Sequence, residues 1–183
     1  MNLVAYHDLK WVQKIKFKEF CHKASQSAEP AATNMEDLPN LAHSRFRPPN
    51  LLLVGLENNR IVATSSCYTS DFSPRVGILG ARTWVNKGSR NKQLIRELFL
   101  PAQKAWARDR GIDIIALTMN QYNKGIVDLF KRQVVKRTPR TDKHMFFNGL
   151  SEVPYPVIIR SIPQWVIYEK LADWEFDWSS LRA

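Results

Sequence analysis

Apolar and polar positions change period several times along the chain, and each change marks an element. Asn2 to His7 is short and partly alternating, which predicts a short edge strand. Asp8 stands where a carboxylate can accept from the open N–H groups of a helix start. Leu9, Val12, Ile15 and Phe20 then lie near one helical face, with Lys10, Lys14, Lys18 and Lys23 mostly elsewhere, so a helix is expected over about residues 8–24. Residues 25–50 are polar, with prolines at 30, 39, 48 and 49, and read as a long loop with one helical turn around Met35–Leu41. From Leu51 the runs LLLVGLE and IVATSSCYT flank the turn ENNR, which predicts a β-hairpin. Asp71 to Pro74 makes a further turn, and Val76 to Val85 reads as a strand.

The stretch NKGSR breaks that strand, and a long helix is expected over about residues 91–110. Leu94, Leu98, Ala102, Ala105 and Trp106 share one side of it, and Gly111 is placed to end it. The run IDIIALTM (112–119) is apolar almost throughout and predicts a short buried strand. NQYNKG is the next loop, Ile126, Leu129 and Phe130 fit a short helix ending near Arg132, and HMFFNG (144–149) reads as a strand. Beyond it, PVIIR and QWVIYEKL read as strands in an aromatic segment that holds Trp165, Trp174 and Trp178. Such a segment packs on the domain or on a partner.

Composition narrows the picture. With 183 residues, 44% hydrophobic, the chain can bury a core. No run of 18 apolar residues exists, so no membrane span is expected. The start MNLVAYHDLK lacks a basic region followed by an apolar core, which suggests no signal peptide and a cytoplasmic life. Cys21 and Cys67 make no disulfide framework, and both sit in apolar surroundings. Cys67, Ser65 and Ser66 have no histidine base placed beside them. The histidines at 7, 22, 43 and 144 have no metal-ligand spacing, so no metal is expected.

Charge is more informative. Lys+Arg is 27 against 17 for Asp+Glu, a net charge of +10, which favours an acidic or polyanionic partner. Eight basic residues fall between Arg82 and Arg110 against Glu97 and Asp109. Six more fall between Lys131 and Lys143 against Asp142 alone. Solubility does not require such clustering. No RNA-binding aromatic signature, helix-turn-helix or zinc finger is present, so sequence-specific nucleic-acid binding is not expected.

The order strand–helix–loop–hairpin–strand–long helix–strand–short helix–strand, with the stretch VNKGSRNKQLIRELF (85–99) and the downstream AWARDRGIDIIALTMNQYNKGIVDLFKR (105–132), resembles the GCN5-related N-acetyltransferase family. The resemblance covers about residues 1–149 and is densest over 84–132. It implies an α/β (α+β) fold, a mixed, mostly antiparallel central sheet flanked by helices, acyl-CoA N-acyltransferase-like. It implies acetyl-CoA as cofactor, its pyrophosphate held where a strand turns into a helix start. Carried onto this chain, the cofactor-binding positions are Trp84, Val85, Arg90, Asn91, Lys92, Gln93, Leu94, Asn120 and Asn123. The chain departs from the family at Gln93 and Ile95, which replace small residues, and at Phe130, where a proton-donating tyrosine is frequent. Strand 76–85 holds no acid that could act as a base, so no catalytic residue is assigned. Arg90 and Lys92 also read as solvated charges at a helix start, and Asn120 and Asn123 as turn formers.

Two functional readings stay open. In one, an acyltransferase-like domain (1–149) transfers an acetyl group from acetyl-CoA to an amine. In the other, the same fold is a non-catalytic basic binding or assembly module, as in a virion or nucleoprotein particle. The extension 150–183 then anchors a protein partner.

Overall fold

The computed structural model describes residues 1–27, 35–70, 74–92, 94–120, 146–148, 158–159 and 162–171. They fall into two compact units, Met1–Tyr68 with Gly80–Gln103, and Thr69–Leu79 with Lys104–Ala183.

In the first unit, β1 (Asn2–Ala5), β2 (Leu51–Glu57) and β3 (Arg60–Thr69) are neighbours in that order, followed by the far end of β4 (Val76–Val85). The β2–β3 hairpin forms as expected, with Glu57 opposite Arg60. Its two turn residues, Asn58 (φ 49°) and Asn59 (φ 59°), are both left-handed. That turn twists with the strands, and asparagine tolerates it better than most residues.

Helix α1 (Trp11–Ser25) begins later than the sequence suggests. Asp8 does not cap it; it closes a 3₁₀ turn over Tyr6–Asp8, and Leu9 and Lys10 are extended. The first turn is capped by Gln13, whose Oε1 accepts the Lys10 N–H at 3.0 Å. The buried face also differs. Phe17, Cys21 and Ala24 face the core, while Val12 (56% exposed) and Ile15 (38%) look outward with Trp11 (75%). Apolar residues occupy both sides of this helix, and aromatic partners decide between them. Tyr6 packs on Phe17, with ring centroids 5.0 Å apart, and its hydroxyl lies 3.1 Å from His43 Nε2 of α2 (Leu38–Ser44).

The predicted helix over 91–110 is three pieces. A 3₁₀ segment spans Lys87–Lys92, a π-helical turn spans Ile95–Phe99, and α3 spans Leu100–Asp109. Pro101 supplies the reason. It has no N–H to give the Glu97 carbonyl and its ring crowds that position. The turn widens instead, with the Leu100 N–H bonding the Ile95 carbonyl five residues back.

In the second unit, the near end of β4 pairs in parallel with β5 (Ile114–Asn120), Val76 opposite Ile114 through Ile78 opposite Ala116. β5 pairs antiparallel with β8 (Ile162–Lys170) over seven residues, and β8 with β6 (Phe146–Asn148) and β7 (Ile158–Ile159). Gly111 (φ 65°) ends α3, the left-handed stop expected of it. The short helix expected near 126–132 lies outside the described residues. The architecture is the expected α/β one, a mixed and mostly antiparallel sheet flanked by helices.

Candidate functional site

The site is built where β4 runs into the 3₁₀ segment. Val85, at the end of β4, packs against a cluster of Leu53, Val62, Ala63, Leu94 and Phe99. The chain is then tied back twice: Asn86 N–H donates to the Val62 carbonyl and Ser89 N–H to the Asn86 carbonyl, each at 2.8 Å. These ties force a tight turn and bury Ser89. Arg90 folds over the strand end. Its Nε–H donates to the Val85 carbonyl at 3.0 Å, and its guanidinium lies 5.1 Å from the centre of the buried Trp84 ring. Three sequence-predicted positions, Trp84, Val85 and Arg90, are therefore joined.

Of the two substitutions that set the turn apart, Ile95 points away from it, and Gln93 lies outside the described residues. Leu94 is buried and Ile95 packs on the same apolar cluster, so neither side chain occupies the face of the turn. Leu94 can serve a ligand only through its backbone. No side-chain cap closes the helix start at Leu94. At Gly88 an added Cβ would meet nothing within 4 Å, so the approach to the turn is open. Asn91 and Lys92 lie within the 3₁₀ segment. Gln93, Asn123 and Phe130 lie outside the described residues, and Asn120 ends β5 in the second unit.

Sequence reasoning missed a second feature of the same strand. β4 bends at Gly80 (φ 69°) and Arg82 (φ 53°), and the bend is held by polar side chains. Gln103 Nε2 donates to Ser65 Oγ at 2.6 Å, Ser65 Oγ and Thr83 Oγ1 are 2.6 Å apart, and Thr83 Oγ1 donates to the Gly80 carbonyl at 2.6 Å. Ser66 Oγ donates to the Ala81 carbonyl, also at 2.6 Å. The available signals were a second glycine, Gly80, in the middle of the strand and the hydroxyl run Thr64–Ser65–Ser66 in a largely apolar one.

A sequence profile described as Acetyltransferase (GNAT) family matches residues 18–134, well over half the chain. The chain belongs to that family. Acetyl transfer from acetyl-CoA to an amine is the family's general reaction. Solved structures agree on the fold. A GNAT-family acetyltransferase from Staphylococcus aureus Mu50 is 16% identical, covering 93% of this chain and 98% of that one, with a TM-score of 0.65. An acetyltransferase from Streptococcus agalactiae is 12% identical, covering 92% and 97%, with a TM-score of 0.61. A ribosomal-protein-alanine N-acetyltransferase from Brucella melitensis is 11% identical, covering 93% and 99%, with a TM-score of 0.58. No curated protein sequence matches significantly.

Open backbone at Gly88, a helix start without a side-chain cap and an anchored arginine are features that a diphosphate-holding turn needs. Among the described residues no cluster of His, Cys, Asp and Glu could hold a metal ion, and no helix is long and apolar enough to cross a membrane.

Proposed function

We propose that this chain transfers an acetyl group from acetyl-CoA to an amine, using a cofactor turn in which the departure at Ile95 is absorbed by the core. The observation that carries this reading is the inward packing of Leu94 and Ile95, which leaves the start of the 95–109 helix open to a ligand. Arg90, Asn91, Lys92 and the backbone of Gln93 and Leu94 would hold the diphosphate, through positive charge and helix-start N–H groups. The β4 backbone near Trp84 and Val85 would line the pantetheine arm. Acetyl-CoA supplies a thioester carbonyl already activated toward a nucleophile.

What the chain adds is alignment. Holding the thioester beside an amine converts a two-body encounter into a one-body step, the largest gain open to a site without dedicated acid or base. β4 offers no carboxylate, so the amine proton leaves through water, at a cost of about 10²-fold in rate for the missing group. The role carried over to Asn120 and Asn123 is not needed by this reading.

Thermal melting with acetyl-CoA tests it. At 100 times its dissociation constant the cofactor should stabilise the fold by about 2.7 kcal/mol, a rise of several degrees for a chain of this size. No shift at millimolar acetyl-CoA would overturn the reading.

A second reading, a basic binding module, draws on α1. There Trp11, Val12 and Ile15 are exposed among Lys10, Lys14, Lys16 and Lys18. A melt unmoved by acetyl-CoA but raised by polyglutamate would favour it.

A further inference from the structure

The hydrogen bonds that hold the β4 bend have a forced direction. The Gln103 amide nitrogen can only donate, so Ser65 Oγ accepts there. The Gly80 carbonyl can only accept, so the Thr83 hydroxyl spends its single proton on it. The Ser65–Thr83 contact must then run from the Ser65 hydroxyl to Thr83 Oγ1. Each hydroxyl in the chain gives one bond and takes one. Ser65 and Gln103 are nearly solvent-free, at 1% and 3% exposure, so no water can stand in easily. Beside this chain, Ser66 holds the next carbonyl, that of Ala81.

Thr83 of β4 itself, buttressed by Ser65 of β3 and Gln103 of the helix, and Ser66 of β3 thus hold two successive carbonyls of β4 at the point where Gly80 and Arg82 adopt positive φ. A positive φ at arginine is disfavoured and persists only when its surroundings hold it. The parallel ladder of β4 covers Val76 to Ile78, so the residues beyond the bend fall outside it.

We propose that Gln103, acting through Ser65 and Thr83, is a positioning residue for the pantetheine arm of acyl-CoA. It sets the bend, and the bend sets where the backbone from Ala81 to Val85 meets that arm. This rests on the acetyl-CoA reading. Gln103 touches no ligand; its action passes through two hydroxyls to a carbonyl.

The test uses the full-length chain and two probes, acetyl-CoA and its nucleotide half, 3′-phospho-ADP, each titrated calorimetrically. The nucleotide half needs only the turn, whereas acetyl-CoA also needs the bent strand. Gln103→Leu and Thr83→Val should each weaken acetyl-CoA by about tenfold or more, with 3′-phospho-ADP changed by less than about twofold. Thr83→Ser, which keeps the hydroxyl, should leave both affinities unchanged. Equal weakening of both probes would mean a general structural role and overturn the proposal, as would no weakening of either. Should Gln103→Leu fail to fold, Thr83→Val against Thr83→Ser decides the matter. If the wild-type chain binds neither probe, the acetyl-CoA reading falls and takes the proposal with it. If it binds both and the variants match it, only the positioning role falls.

Discussion

The two ends of β4 are made on different terms. From Val76 to Leu79 every residue is buried, the strand lies in a regular parallel ladder, and its geometry follows from packing. Gly77 shows how tight that packing is: an added Cβ would come within 3.0 Å of Ile112 Cγ2 and 3.5 Å of Trp106 Cζ3. From Gly80 to Val85 only Trp84 is buried, two residues have positive φ, and hydroxyl groups bond two successive carbonyls at the bend. Packing holds one end and directed hydrogen bonds hold the other. Packing tolerates few shapes but asks for no particular backbone angle. Directed bonds can hold an angle that packing alone would relax, and such angles gather where a chain meets a ligand.

The first way to break this comparison is to overfill the packed end. Gly77→Val should destabilise the protein by about 3 kcal/mol, because Ile112 belongs to a close-packed core and has little room to move. A fall in melting temperature of roughly 6–12 °C follows for a chain of this size. Protein that remains folded at low temperature should bind acetyl-CoA as the wild type does. Lost binding with an intact fold would show that the packed end also serves the ligand.

Alkaline pH separates packing from hydrogen bonding in another way. Gln103, Ser65, Thr83 and the carbonyls they hold do not titrate below pH 12, but the core contains Cys21. Burial pushes the Cys21 thiol up to about 12. The unfolded thiol ionises near 8.5 while the folded one keeps its proton, so the folded state binds more protons and stability must fall as pH rises. The stabilisation is complete below about pH 8.5 and is lost toward pH 12, at about 1.4 kcal/mol per unit in between. Tyr6, raised by burial and then by its neighbour Cys21, acts in the same direction at higher pH. Cys21→Ala should therefore flatten the decline of melting temperature between pH 9 and 11. An equal decline in both proteins would remove Cys21 as its source.

Most of the fold was legible because its signals are local. ENNR between two β-branched runs specifies a hairpin, and Gly111 ends a helix wherever it falls at the end of an apolar stripe. The side of α1 that faces inward was not legible. Val12 and Ile15 are as apolar as Phe17 and Cys21, and the choice is made by Tyr6, a partner outside the helix. Nor was the break at Ile95–Phe99 inferred, although Pro101 signals it by its missing N–H. At the candidate site, Trp84, Val85 and Arg90 came from the family resemblance, and the structure joins the three around one turn. Gln103 was not legible, since it meets Ser65 across 38 positions of sequence and lies off the side of its helix that the sequence marks as apolar.

The hydrogen-bonded end is probed by Gly80→Ala. Alanine has to adopt φ near 69° there, which costs about 1 kcal/mol, less than overfilling the packed end. If the bend serves the ligand, acetyl-CoA affinity should drop by about tenfold alongside that small change in stability. A drop in stability with unchanged affinity would make the bend a matter of folding alone.

The smallest effect on stability is expected at Arg90, and it is the most diagnostic for binding. Its side chain is exposed, and its bond to the Val85 carbonyl lies at the surface, so Arg90→Ala should shift stability by no more than about 0.5 kcal/mol. Affinity should respond differently. If the Arg90 guanidinium meets the diphosphate, it contributes to both probes alike, because both carry that group. Arg90→Ala should weaken acetyl-CoA and 3′-phospho-ADP by the same factor, about tenfold at low salt, with a smaller difference as salt rises. Arg90→Lys keeps the charge but loses the Nε–H bond to Val85 and the stacking on Trp84, so it should recover only part of the loss. Variants of the bend, by contrast, should affect acetyl-CoA alone. If Arg90→Ala spares 3′-phospho-ADP, the turn is not where the diphosphate rests, and the two ends of this strand must be assigned afresh.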